Sequence, residues 1–283
     1  MIIRWPTIRH SCSHQNSSSR DEQQAWRCVS CLSSSFARAR NADGSCCARM
    51  ASLTLPPSSL YAPLALQERR GIFLSDDATF DKSHFLVPHH YQHDVASVLI
   101  PTGLIQDRVE KLAQDIRYEY EGRTVHLLCV LKGGSAFFHD LVEKLRLFHK
   151  YNKCDYVPFT FDFIKVKSYD GTKSTGNVQI SGADLAKFKG KDLLLVEDII
   201  DTGRTMAKLV PYLQQFEPAS VKVASLLEKR NPDSCGFLAD FVGFSIPDKF
   251  VVGYCLDYNE IFRDLDHICV ISDVGIAKYA GSS

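Results

Sequence analysis

The sequence predicts an α/β fold with a mainly parallel sheet and helices on both of its faces. Three observations predict it. Val125–Leu131 and Leu193–Val196 are short, nearly unbroken apolar runs, as expected of strands covered on both sides. The stretches that follow them carry apolar residues three or four apart, the spacing of a helix with one buried face. Strand-like and helix-like stretches then alternate along the chain, which places successive strands parallel.

The chain of 283 residues divides near residue 65. Residues 1–60 hold seven arginines, no lysine and three acidic residues among many serines. That composition buries little core and reads as a disordered extension over residues 1–64. It also has the Arg- and Ser-rich, acid-poor character of a transit segment, or lies upstream of a start at Met50. Pro56, Pro57 and Pro63 mark a linker, and 65–283 reads as one folded domain. Five of the ten cysteines fall in the first 47 residues. Cys28 and Cys31, followed by Cys46 and Cys47, have a zinc-like spacing in a context with no apolar periodicity, so chance is the better reading. Cys129, Cys255 and Cys269 sit in apolar runs and read as reduced core residues of a cytoplasmic protein.

From Gly71 the pattern is regular. Thr102 is placed to cap a helix with Ile105, Val109, Leu112 and Ile116 on one face. The run 125–131 ends in Lys132-Gly133-Gly134, and a helix follows with Phe137, Phe138, Leu141, Leu145 and Phe148 on one side. Val157, Phe159, Phe161 and Phe163 alternate as in a strand; the alternation then moves to Ile164 and Val166, which predicts a bulge near residue 163. Residues 168–176 are polar, contain two glycines and read as a mobile loop. After Leu193–Val196 comes a helix with Met206, Leu209, Val210 and Leu213. Pro211 within it removes a backbone donor and predicts a kink or a local 3₁₀ turn. Val221–Leu227, Phe250–Tyr254 and Ile268–Ile271 are further strands. Lysine plus arginine equals aspartate plus glutamate at 33 each, so nothing draws the whole molecule to nucleic acid or an anionic membrane. No apolar run approaches the ~18 residues of a membrane span. Any phosphate must be held by a local site.

One segment carries the chemistry: Leu193-Leu-Leu-Val-Glu-Asp-Ile-Ile-Asp-Thr-Gly-Arg-Thr-Met206. A buried strand delivers Glu197 and Asp198 at its carboxyl end, where open α/β sheets bind ligands. Asp201, Thr202, Gly203, Arg204 and Thr205 then turn into a helix whose first N–H groups favour a phosphate. Paired carboxylates suit ribose hydroxyls or a metal. Read structurally, Asp201 or Thr202 merely caps the helix, but two carboxylates beside a core are costly without a task. The segment is neither a Walker loop nor a dinucleotide fingerprint.

Val196–Thr205 resembles the phosphoribosyl-diphosphate motif of the type I phosphoribosyltransferases. The resemblance runs from about Asp81 to Tyr279, through Leu131–Gly134, Phe161–Ile164, Val221–Leu227, Ile246–Tyr254 and Leu256–Glu260, and is nearest to the family's purine-salvage members. It implies a parallel sheet flanked by helices with a small hood. It implies transfer of phosphoribosyl from phosphoribosyl diphosphate to hypoxanthine or guanine, giving IMP or GMP and pyrophosphate, with Mg²⁺, in a homodimer or homotetramer of the cytoplasm. Carried across by position, Glu197 and Asp198 hold the ribose hydroxyls directly or through Mg²⁺. Ile199 and Ile200 lead into the phosphate loop Thr202–Thr205, and Asp201 is the base facing purine N7. Lys132 and Gly133 form the pyrophosphate loop, and Arg263 meets the pyrophosphate. Lys229 donates to the 6-oxo group. Lys249, Phe250 and Val251 contact the purine, and Asp257 binds Mg²⁺ beside it. Ser168 and Tyr169 lie on a lid. A catalytically silent relative would lack the carboxylate at 201. Arg204 stands where these enzymes often have lysine. Read alone, Lys229 and Arg230 make only a solvated charge pair.

Overall fold

The computed structural model describes residues 71–151, 157–167 and 179–281. The extension 1–64 with its linker prolines and cysteine cluster, Ser168, Tyr169 and the rest of the loop expected at 168–176 lie outside the described residues. In chain order the strands are β1 (Ile72–Phe73), β2 (Val95–Ile100), β3 (Val125–Leu131), β4 (Phe159–Lys167), β5 (Gln179–Ser181), β6 (Asp192–Ile200), β7 (Ser220–Lys229), β8 (Phe241–Ile246), β9 (Val251–Val252) and β10 (Ile268–Ile271). The helices are α1 (Thr102–Glu119), α2 (Ser135–Tyr151), α3 (Arg204–Gln214) and α4 (Asp273–Tyr279). Among the described residues no helix is long and apolar enough to cross a membrane.

Seven strands form the main sheet in the order β1-β8-β7-β6-β3-β4-β5. All pairings are parallel except that of the edge strand β5 with β4. The chain leaves β3 outward to β4, returns to β6, and proceeds the other way through β7 to β8. The order therefore reverses between β3 and β6, the place where such sheets leave a crevice for ligands. Helices α1 and α2 pack on one face over Leu127, Cys129, Leu194 and Val196. On the other face α3 sets Met206, Leu209 and Leu213 against Leu128, Leu193, Leu195 and Val223. Coverage on both sides explains why β3 and the Leu193–Val196 stretch of β6 are apolar at nearly every position. A second sheet, β2-β10-β9, is antiparallel and forms the hood. Its core is separate: Val95, Val98, Val252, Cys269, Ile271 and Phe262, with Tyr91 stacked on Phe262 at 4.7 Å.

Three sequence expectations change. Strand β4 keeps one register with β3 from Val125↔Phe159 to Leu131↔Lys165, with no bulge near 163. Phe161 and Phe163 face Phe138 of α2, while Ile164 and Val166 join the α3-side core. The change of alternation reflects apolar residues on both faces of one continuous strand. Thr102 is the first residue of α1 and not its cap. Its N–H donates to His267 Nδ1 at 3.0 Å and its hydroxyl to the Asp266 carbonyl at 2.7 Å, so the hood satisfies this helix end. Cys255 is not in a strand: Tyr254 and Cys255 both have positive φ, and the thiol is only half-buried, 3.1 Å from Ser135 Oγ.

Helix α3 passes through Pro211 and ends three residues later, where the Gln215 N–H reaches back to Leu213 and Tyr212. Proline leaves the Ala207 carbonyl without its helical donor. Pro211→Ala should therefore stabilise the protein, by about 1–3 kcal/mol given the intrinsic cost of proline in a helix. Urea unfolding of the two proteins measures this; an unchanged or lower midpoint would mean that the ring's packing outweighs the lost hydrogen bond.

Candidate functional site

Parallel pairing puts the ends of β3, β6 and β7 on one edge of the sheet. Lys132 follows β3, Asp201 follows β6, and Lys229 ends β7. The site is built from these three ends and closed by residues 248–263.

The acidic pair follows directly on the fully buried stretch Leu193–Val196 of β6. Leu194 and Val196 point to the α1/α2 core and Leu193 and Leu195 to the α3 core, yet Ile199 packs with the first and Ile200 with the second. The alternation thus slips across Glu197 and Asp198, which lets two consecutive carboxylates act on each other. Burial first, and then the Asp198 charge, push the Glu197 carboxyl well above the usual range. Its Oε2 is buried without a hydrogen-bond partner, a state that costs free energy until a ligand arrives. Burial also raises Asp198, to about 6, against the lowering effects of the Ile199 N–H, which donates to Oδ1 at 2.8 Å, and of Arg263.

The glycines of the β3 loop meet this pair. A Cβ on Gly133 would lie 1.6 Å from Asp198 Oδ2, and one on Gly134 would lie 2.7 Å from the Val130 carbonyl. Glycine is what allows the loop to reach the carboxylate. The Leu131–Lys132 peptide is cis.

Downstream, Gly203 at φ 74° is the N-cap of α3, and no side chain caps the helix. The capping role considered for Asp201 or Thr202 is not used. The first turn-closing bond runs from Ala207 N–H to the Gly203 carbonyl, so the amides ahead of it remain available for an anion. The loop is held from behind: the Cys235 N–H donates to the Thr202 carbonyl at 2.9 Å, and a Cβ on Gly203 would meet Phe237 at 2.9 Å.

Asp201 is exposed at the mouth of this loop, where Asn231 Nδ2 donates to its Oδ1 at 2.7 Å. Lys229 is mostly covered, with Nζ 3.5 Å from Asp201 and 3.8 Å from Asp248. Phe250 stands half exposed, edge-on to Tyr258 at 5.4 Å, and Val251 beside it is buried. The Lys249 ammonium donates to the Asp76 carbonyl at 2.7 Å, so its side chain is spent on residue 76. Arg230 does related work, donating to the Leu74, Ser245 and Asp76 oxygens. Asp257 accepts from Arg263 at 2.8 Å and from the Glu260 N–H at 2.8 Å. Lys132 and Arg263 converge on one oxygen of Glu260.

The structure thus brings together Lys132, Gly133, Glu197, Asp198, Asp257 and Arg263 on one side and Asp201 with Lys229 on the other, and Phe250 and Val251 follow Asp248, which approaches Lys229. Sequence reasoning did not single out Asn231, Asp248 or Glu260. Asn231 lies two residues past β7, on the ligand edge, and its position alone could have flagged it. Nothing in the local sequence marks Glu260.

Residues 101–259 match the phosphoribosyl transferase domain family. The hypoxanthine-guanine phosphoribosyltransferases of Canis lupus familiaris and Homo sapiens are each 53% identical over 211 residues, covering 74% of this chain and 96% of theirs. The crystal structure of hypoxanthine-guanine phosphoribosyltransferase from Schistosoma mansoni in complex with IMP is similar with a TM-score of 0.61 at 40% identity, covering 73% of this chain and 97% of that one.

The acidic pair has a pH signature. Asp198 has a raised carboxyl, so between about pH 4 and 6 the folded state binds more protons than the unfolded one. Stability contributed by the protonated form is therefore lost as pH rises through that window. Asp198→Asn should be more stable than the parent at pH 8, by about 1–3 kcal/mol, and the difference should shrink toward zero near pH 4. Thermal melts of the ligand-free proteins at both pH values test it; a pH-independent difference would remove charge burial as the cause.

Proposed function

The chain belongs to the phosphoribosyltransferase family, and from that premise we propose how its residues divide the work of a hypoxanthine-guanine phosphoribosyltransferase. The reaction transfers the phosphoribosyl group of phosphoribosyl diphosphate to hypoxanthine or guanine, releasing pyrophosphate and forming IMP or GMP for purine salvage. The observation that carries the assignment of roles is the uncapped amide cradle at Thr202–Thr205 directly beyond two partly buried carboxylates.

In this reading the amides and hydroxyls of Thr202, Gly203, Arg204 and Thr205 take the 5′-phosphate, a use of the helix start that needs backbone more than side-chain charge. Arg204 in place of lysine is then a minor change. Glu197 and Asp198 orient the ribose hydroxyls. Lys132 and Arg263 face the pyrophosphate, whose departure leaves several negative charges to stabilise. Phe250 offers a ring face to the purine, and Lys229 a donor to its 6-oxo oxygen. Asp201 lies within reach of that lysine and accepts the N7 proton as N9 attacks C1′ and the ring grows positive. Asn231 keeps its carboxylate turned toward the base.

The residues fit a bound Mg²⁺. Asp257, Glu197 and Asp198 offer only carboxylate oxygens, the donors a hard cation prefers, and Glu197 Oε2 has no partner of its own. When bound, the ion would neutralise charge on the leaving pyrophosphate. For assembly we read a homodimer or homotetramer, supported by Phe161 and Phe163, which stay exposed beside Phe138.

Two outcomes follow. Adenine presents an amino group where guanine and hypoxanthine present an oxygen, so it would set two donors against each other at Lys229. An unmet buried donor costs ~1–3 kcal/mol, and such mismatches discriminate strongly. Initial rates with the three bases should give guanine and hypoxanthine as substrates and adenine as a very poor one; comparable adenine turnover would take Lys229 out of base recognition. Asp201→Asn keeps the shape but cannot take a proton, and should lower kcat by at least ~10²-fold while phosphoribosyl diphosphate still binds. Steady-state kinetics beside a binding titration decides this: an unaltered kcat leaves Asp201 a structural residue.

A further inference from the structure

We infer that Glu260 is a built-in counter-anion for the pyrophosphate subsite: its carboxylate holds Lys132 and Arg263 while the subsite is empty and yields them to the incoming diphosphate. The inference rests on the roles proposed above for those two cations.

The geometry is specific. Lys132 Nζ donates to Glu260 Oε2 at 2.8 Å, and Arg263 Nε and a terminal nitrogen each approach the same oxygen at 3.3 Å. The two cations come from distant parts of the chain, one after β3 and one in the hood. Without a shared anion they would face each other as like charges. Arg263 is also held by the Cys255 carbonyl at 2.8 Å and by Asp257. Lys132 has only Glu260 as an ion-pair partner among the described residues.

The backbone gives an independent reason to think the side chain is what matters at this position. Tyr258 and Ile261 exchange both backbone hydrogen bonds, at 3.2 and 3.1 Å. The two residues between them, Asn259 and Glu260, have φ of 50° and 67°. This is a two-residue type I′ turn, which favours asparagine first and glycine second. Asn259 obeys the rule and ties its amide to the Tyr279 carbonyl at 2.8 Å. Glu260 breaks it. Conformation alone would select glycine, so the carboxylate is what the turn is strained to present.

The pair is also easily displaced. The Glu260 and Lys132 side chains are 62% and 54% exposed, and exposed pairs hold weakly. A diphosphate offers more charge and more oxygens to both cations at once. Glu260 therefore lowers affinity for the diphosphate-bearing substrate, and it can recapture the cations as pyrophosphate leaves.

Glu260→Gln in the full chain, assayed at fixed magnesium, tests this. The KM for phosphoribosyl diphosphate and the inhibition constant of pyrophosphate should both fall, by about two- to five-fold as expected for an exposed ion pair, with no rise in kcat. Unchanged or weaker affinity would overturn the inference and make Glu260 a support that steers the cations. Glu260→Gly is the second variant, with the same loss of charge and a relaxed turn. It should tighten pyrophosphate equally and melt higher, and it decides the matter should the glutamine variant fold poorly. Lys132→Met separates the two levels of argument. If it weakens pyrophosphate inhibition, the cation assignment stands and the Glu260 variants judge the counter-anion alone. If inhibition is unaltered, the subsite assignment falls and the counter-anion with it.

Discussion

Parallel pairing of β3, β6 and β7 forces three strand ends onto one edge of the sheet, and each feature of the site descends from that constraint. Residues 132, 201 and 229 could not otherwise share one edge, given their separation along the chain. The reversal of strand order between β3 and β6 opens the crevice along that edge. The two helix layers matter less for chemistry than for rigidity. They bury Leu194, Val196, Leu193 and Leu195 completely, so the carboxylates at the end of β6 stand on a strand that cannot move aside.

Charge in the ligand-free site is arranged in closed circuits. Asp201 is shared by Asn231 and Lys229, and Lys229 also approaches Asp248. Lys132, Arg263, Asp257 and Glu260 form a second circuit. Among the described residues the Glu197–Asp198 pair has no cation in direct contact, and burial shifts both carboxyls upward. Polar groups held ready by their neighbours need little reorganisation when a charged ligand arrives, which is the general source of electrostatic stabilisation in enzymes. The uncompensated pair then becomes the place with most to gain from a cation or from hydroxyl donors.

Legibility in the sequence followed how local the determining physics is. Strands β3 and β6, helices α1 to α3 and the Glu197–Thr205 segment were readable because burial on two faces, helical spacing and a glycine before a helix all write themselves within a short window. Strand β2, whose partner β10 lies far along the chain, carries no such mark, whereas β9 and β10 lie within the strands read at Phe250–Tyr254 and Ile268–Ile271, the first shortened to two residues. The antiparallel hood was therefore expected only through family resemblance, and α4 not at all. The bulge expected near Phe163 came from assuming that one face of β4 is wet. Thr102 has the look of a cap in sequence because the acceptor that satisfies its amide, His267, belongs to the hood. Glu260 acquires meaning only from what faces it across the fold.

Backbone strain is distributed in a way that supports this division. Five non-glycine residues between 254 and 262 have positive φ: Tyr254, Cys255, Asn259, Glu260 and Phe262. Each such residue costs of order 1–3 kcal/mol and persists only where its surroundings over-determine it. The hood supplies that determination. Phe262 is wholly buried between Tyr91 and Tyr279, at ring distances of 4.7 and 5.3 Å. Tyr279 and Lys278 are in turn fixed to the buried Asp94 at 3.0 and 2.7 Å. Leu265 accepts the Tyr254 N–H through its carbonyl. The hood core is thus what keeps Asp257, Glu260 and Arg263 in a conformation that their own sequence disfavours. That explains why a small, separate apolar cluster sits over the carboxyl edge of a sheet that is already fully packed without it.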